Sequence, residues 1–259
     1  MTQPIVLLDS GVGGLTVLKS IVCRFPLQDC IYIADNAYFP YGTKTFDQLN
    51  ARIKHLAHFI ATLNPKAVVI ACNTASVHRE VFCEYLQCPV IDVIAPTCAN
   101  VLLTTQNRRV CLLATDATIK SQCYQQILRK RGVDVVEVPC SDFVPIVEFG
   151  QMDSEVARSI VQNKLIPVAN CNFDTVILGC THFGLIVKQI SKVLGVRNYV
   201  ECGDATAQAL CDVLQSQGCG GGTIQLVTTG IATTLLDVAN RLNLGTMSVS
   251  AVHLSHDGV

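Results

Sequence analysis

The sequence predicts an α/β protein made of two pseudo-symmetric, doubly wound halves with mostly parallel sheets and a shared cleft between them. Three observations carry this. Short apolar runs alternate with amphipathic stretches along nearly the whole chain, the pattern of parallel strands covered by helices on both faces. Ten such runs exceed one comfortable open sheet. The run "VILGCTHFG" at 176–184 also echoes "VVIACNTAS" at 68–76: each ends an apolar strand pattern in a small residue, a cysteine and a nearby threonine.

Taken in order, the first strand is "PIVLLD" (4–9), whose acidic end opens the glycine-rich turn "DSGVGGL" (9–15). "CIYIAD" (30–35) follows, then the turn "FPYGT" (39–43), set by Pro40 and Gly42. Residues 45–63 read as an amphipathic helix, with Phe46, Leu49, Ile53, Leu56, Ile60 and Leu63 on one stripe and His55 and His58 off it. "AVVIAC" (67–72) and "VIDVIA" (90–95) are the next strands, and "IAPTCAN" (94–100) reads as the crossing between the halves. The second half supplies "RVCLLAT" (109–115), "VDVVEV" (133–138), "DTVILGC" (174–180) and "NYVE" (198–201). "QGCGGGT" (217–223) is a loop or linker before "TIQLVTT" (223–229) and "TMSVSAV" (246–252).

Composition narrows the function. The 259 residues are 50% hydrophobic and 15% charged, with a formal net charge of −1, so a sizeable core is available. No Lys/Arg run stands out, and neither nucleic acid nor a membrane surface is expected as a partner. The apolar runs fall far short of the ~20 residues that span a bilayer, and "MTQPIVLLDSG" does not read as a signal peptide, so a cytoplasmic location is expected. Fourteen cysteines then read as free thiols rather than a disulfide framework. Most of them, such as Cys23, Cys83, Cys111, Cys123 and Cys211, lie among apolar neighbours and read as small hydrophobes. No cysteine spacing suggests a metal site.

In sheets of this kind ligands bind at the carboxyl ends of strands. The residues with chemistry to offer fall there: Asp9 and Ser10, Asp35, Cys72 with Asn73 and Thr74, and Cys180 with Thr181 and His182. "DSGVGGL" reads as an anion cradle of backbone N–H groups, although it matches neither nucleotide-binding fingerprint. In "FPYGT", Tyr41 has a hydroxyl and Gly42 an N–H to offer a ligand. A thiol between a strand end and a helix start is expected to have a lowered pKa. His182 is placed to take up or stabilise the proton of Cys180, Glu148 in "FVPIVEFG" to orient His182, and Asp9 to serve Cys72.

One cysteine with a histidine suggests a hydrolase or acyl transferase. Two cysteines at matching places in facing halves suggest the inversion of a carbon stereocentre. The proton leaves one face and returns on the other, so one side needs a base and the other an acid. Pyridoxal phosphate would require a Schiff-base lysine, and no lysine occupies a strand-end motif like those of the cysteines, so no cofactor is expected.

Read together, "DSGVGGLTVL" (9–18), "PYGTK" (40–44), "ACNTAS" (71–76), "TIKS" (118–121), "FVPIVE" (143–148) and "LGCTH" (178–182) resemble the cofactor-independent glutamate racemases, in that family's order and from about residue 5 to 208. The resemblance implies interconversion of L- and D-glutamate, supplying D-glutamate for peptidoglycan, by an enzyme often found as a homodimer. It implies two domains, residues 1–95 plus 209–259 and residues 96–208, with the active site between them. It also implies that Cys72 and Cys180 are the catalytic acid/bases, with Asp9 assisting the first and Glu148 and His182 the second. Asp9, Ser10, Tyr41, Gly42, Asn73, Thr74, Thr118, Thr181 and His182 are the implied substrate contacts. Ala34, Tyr38–Phe39, Ala95, Phe183 and Gly184 depart from the family's habits without removing a catalytic group. Aspartate racemases are the nearest alternative, but they usually lack Asp-Ser-Gly after the first strand and carry glutamate where His182 stands. A catalytically silent anion-binding protein is the alternative from another class.

Overall fold

Each of the ten apolar runs forms a strand in the computed structural model, which describes residues 3–195, 197–214 and 220–254. The strands are β1 (Ile5–Asp9), β2 (Cys30–Ala34), β3 (Ala67–Ile70), β4 (Val90–Asp92), β5 (Arg109–Ala114), β6 (Asp134–Pro139), β7 (Thr175–Gly179), β8 (Asn198–Val200), β9 (Ile224–Thr228) and β10 (Met247–Ala251). Among the described residues they make two sheets, one of six strands in the order β10-β9-β2-β1-β3-β4 and one of four in the order β6-β5-β7-β8. Every pairing is parallel. Burial on both faces explains the unbroken apolar runs: all five residues of β1 are buried, with Leu7 level with Tyr32 on one side and Val69 on the other.

The strand orders place the chemistry. In the six-stranded sheet, β2 and β3 lie on opposite sides of β1, so the order reverses at β1/β3. In the four-stranded sheet it reverses at β5/β7. A crevice opens outside the carboxyl ends of the strands at such points. Cys72 follows β3 and Cys180 follows β7, so each cysteine leaves its sheet at a reversal point.

One apolar cluster joins the two sheets. It runs from Ile5 and Leu7 of β1 through Leu15, Leu18 and Ile21 to Cys111 and Leu113 of β5 and Val176 and Leu178 of β7. The helices Ile94–Thr104 and Cys202–Leu214 are the passages between the sheets, and the expected boundaries at 95/96 and 208/209 fall inside them. The last two strands, β9 and β10, return to the first sheet beside β2.

Several local expectations need correction. The helix Phe46–Thr62 starts at a capping box between Thr45 and Gln48 and buries Leu49, Ile53, Leu56 and Ile60, but Phe46 is 59% exposed and stacks on His78 instead. The run "VIDVIA" stops being a strand at Asp92, because the Asp92 carboxylate accepts the N–H groups of Ile94 and Ala95 and starts a helix there. "IAPTCAN" is thus the first turns of that helix, where Pro96 costs no hydrogen bond. Cys23 and Cys83 are exposed rather than core thiols. Of "QGCGGGT", residues 217–219 lie outside the described residues; the rest is a turn tied to Asp29, whose Oδ1 accepts from Gly221 and Thr223.

Candidate active site

Cys72 caps the short helical turn Asn73–Ser76 with an extended backbone. Its Sγ lies 3.7 Å from Ser10 Oγ. The turn aims the Ala75 N–H at the sulfur, the feature expected to lower its pKa, yet burial and the neighbouring Asp9 push the thiol up to about 12. Desolvation outweighs one backbone dipole here. Asp9 ends β1, fully buried, and accepts from Gly11 N at 2.9 Å and Thr181 Oγ1 at 3.1 Å. Burial raises its carboxyl above the ordinary value, partly offset by His182 and the two donors.

Cys180 starts the opposite half-site. Its Sγ lies 3.5 Å from His182 Nδ1, and His182 Nε2 lies 2.6 Å from Glu148 Oε1. Burial by itself lowers the imidazole pKa, but Cys180 and Glu148 together overcome it and hold the ring well above its usual range. In its protonated form the ring donates from both nitrogens, to the Cys180 sulfur and to the Glu148 carboxylate.

The glycine turn is a cradle, but for carboxylates of its own chain. Gly11 N donates to Asp9, and Val12 N donates to Glu148 Oε1 at 2.8 Å. A Cβ at Gly11 would stand 1.9 Å from Glu148 Oε1, and one at Gly13 would stand 2.6 Å from His182 Nδ1. These glycines let the second sheet's carboxylate and imidazole reach the backbone of the first. The free-anion site expected of "DSGVGGL" is filled from within.

Cys72, Cys180 and His182 line one cavity, together with Ser10, Tyr41, Gly42, Asn73, Thr74 and Thr181. Asp9, Glu148 and Thr118 stand behind the wall, touching residues that line it. Tyr41 lines the cavity, but its hydroxyl donates to the buried Asp35 at 2.6 Å, so the expected hydroxyl contact is already committed. Thr118 is fully buried and meets Thr74 and Thr115, whose Oγ1 atoms lie 3.3 and 2.9 Å from its own. It is Thr115 that reaches the cavity, with Ser141, Val144 and Pro145, none of which had been singled out. Thr115 directly follows β5 and Ser141 lies two residues beyond β6, so the strand-end rule that found the cysteines also points to them. Val144 and Pro145 belong to the quoted "FVPIVE" segment. No lysine lines the cavity among the described residues.

The profile of the Asp/Glu/Hydantoin racemase family matches residues 16–210. A glutamate racemase of Lactococcus lactis subsp. cremoris is 36% identical over 214 residues, covering 82% of this chain and 78% of its own. Among solved structures, a glutamate racemase isoform of Bacillus anthracis superposes with a TM-score of 0.90 at 30% identity, covering 97% of this chain and 98% of its own. A glutamate racemase of Francisella tularensis in complex with D-glutamate superposes with a TM-score of 0.86 at 29% identity, covering 98% of each chain.

Proposed function

The chain belongs to the Asp/Glu/Hydantoin racemase family, and we propose on that premise that it interconverts L- and D-glutamate by a two-cysteine proton transfer, without a cofactor. One observation carries the mechanism: Cys72 and Cys180 leave two different sheets at their reversal points and line the same cavity. A substrate α-carbon held between them has a sulfur on either side. One thiolate takes the α-proton; the other thiol returns a proton to the opposite face. The reverse reaction exchanges the two roles.

The surroundings suit that division. Burial and Asp9 keep Cys72 protonated at neutral pH, which makes it the proton donor in that form of the enzyme. Cys180 is then the base, and the His182 imidazolium at 3.5 Å supplies positive charge beside its sulfur. Hydroxyls and amides of Ser10, Asn73, Thr74, Thr115 and Thr181 are the polar groups available to hold carboxylates and spread the charge of the carbanion. Two domains, residues 1–95 plus 209–259 and residues 96–208, are part of the proposal, as are Tyr41 and Gly42 as substrate contacts and Thr118 as a support for Thr74. So are a homodimer, cytoplasmic location and supply of D-glutamate for peptidoglycan. Free thiols at every described cysteine suit a reducing compartment.

The test is incubation with L-glutamate in D₂O with no cofactor added. D-glutamate carrying α-deuterium is expected, and Cys72→Ser and Cys180→Ser should each abolish racemisation. Turnover of aspartate in place of glutamate would transfer the reading to the aspartate enzymes. Near-normal turnover by either cysteine variant would overturn the two-base assignment.

A further inference from the structure

The residue that follows each cavity cysteine is held from the opposite sheet. After Cys180, Thr181 donates to Asp9 of β1. After Cys72, the Asn73 Oδ1 accepts from the hydroxyl of Tyr124 at 2.6 Å. Tyr124 lies on the helix Cys123–Arg129, beyond β5, and is fully buried. Its partner is 51 residues away in sequence and belongs to the six-stranded side.

This contact fixes more than one bond. An amide oxygen is an acceptor only, so with Asn73 Oδ1 against it the tyrosine hydroxyl donates. Burial keeps the Tyr124 hydroxyl protonated far beyond neutral pH. With Oδ1 turned to Tyr124, Asn73 Nδ2 faces Cys202 Sγ at 3.5 Å and keeps a second hydrogen for the cavity it lines. Cys202 in turn is tied to Leu178 O of β7 at 3.6 Å. Asn73 is also the first residue of the turn whose Ala75 N–H faces the Cys72 sulfur. A shift of Asn73 therefore moves both a cavity donor and the cap on the thiol.

We propose that Tyr124 is a positioning residue for the proton transfer at Cys72, acting through the Asn73 amide and the turn that follows it. The proposal rests on the assignment of Cys72 as one of the two acid/bases. Cys180 has its own support in His182 and Glu148, so the effect of Tyr124 is confined to one half of the reaction.

Tyr124→Phe tests this, because it removes the hydroxyl and keeps the ring in its packing. L- and D-glutamate are mirror images with an equilibrium constant of one, so kcat/KM must fall equally for both, by about tenfold. The distinguishing readout is the kinetic isotope effect with each α-deuterated enantiomer. It should rise for the enantiomer whose proton Cys72 removes and stay level or fall for the other. Asn73→Ala should lower activity too, and adding Tyr124→Phe to it should cost little more. Unchanged isotope effects and a lowered melting temperature would make Tyr124 a packing residue and overturn the proposal. So would isotope effects that rise equally for both enantiomers. Cys72→Ser is run alongside: if it keeps normal turnover, the two-cysteine reading itself has failed, whatever Tyr124→Phe does.

Discussion

Substituting alanine for Gly11 places a methyl group 1.9 Å from Glu148 Oε1. Ordinary contact begins at 3.4 Å, so the carboxylate must move by about 1.5 Å. That oxygen makes both the 2.6 Å contact to His182 Nε2 and the 2.8 Å bond from Val12 N, and neither survives such a shift. Hydrogen bonds to charged groups contribute about 1.5–3 kcal/mol each. With part of the loss recovered by re-solvation at the cavity edge, about 2–4 kcal/mol remains. At 1.36 kcal/mol per decade this is a roughly 30- to 1000-fold fall in kcat/KM, if the whole effect reaches the transition state. Gly11 does not occupy the left-handed region, so the backbone itself accepts alanine and the cost is steric. The assay is a double-mutant cycle with Glu148→Ala, which empties the space the methyl needs. Gly11→Ala should be severe alone and nearly silent in the Glu148→Ala background. Additive losses, or a fully active Gly11→Ala, would refute the claim that this glycine exists to admit Glu148.

Three other outcomes can be measured. Thr118→Val removes two buried hydroxyl contacts without touching the cavity, so it should lower stability by about 1–2 kcal/mol in urea unfolding, while Thr115→Val should chiefly raise KM. Burial holds His78 at about pKa 4, below its unfolded value, so its contribution to stability is intact above pH 6.5 and is lost as pH falls through 4; His78→Asn should flatten the acid side of a plot of urea midpoint against pH. His182 is shifted the other way, so its contribution is fully present below pH 6.5 and is lost as pH rises through its raised native pKa; the ring-proton NMR signal of His182 should stay in its protonated position from pH 6 to pH 7.5, and should move in Glu148→Gln.

The strands were legible because parallel strands buried on both faces leave uninterrupted apolar runs, and each run in this chain is one strand. The strand-end rule was legible for the same reason. What sequence hid was which neighbours the strand ends have. Thr115 and Ser141 are common polar residues, and nothing local separates them from surface threonines and serines. The glycines of "DSGVGGL" suggested a bound anion, because a sequence does not show that Glu148, 136 positions from Val12, fills the turn. For the Cys72 thiol the local signal, a helix start, points down, while burial and Asp9 come from the tertiary fold and point up. Phe46 fits the apolar period but occupies the first position of its helix, where the core no longer lies beneath it.

The two halves repeat a pattern, and each fastens residues beside the other's cysteine. Asp9 stands at the end of β1 and is fastened by Thr181, which follows Cys180. Glu148 supports His182 beside Cys180 and is fastened by Val12, which follows Ser10 and Gly11 at the end of β1. Asn73, beside Cys72, is fastened by Tyr124. Every one of these three bonds crosses from one sheet's residues to the other's. The alternative would be two self-contained half-sites that meet only through substrate, and it would leave Asp9 without its Thr181 donor and Glu148 without its Val12 donor. Crossing bonds instead make the shape of the cavity a property of the closed pair of sheets. A perturbation that spreads the sheets then loosens the surroundings of both cysteines together.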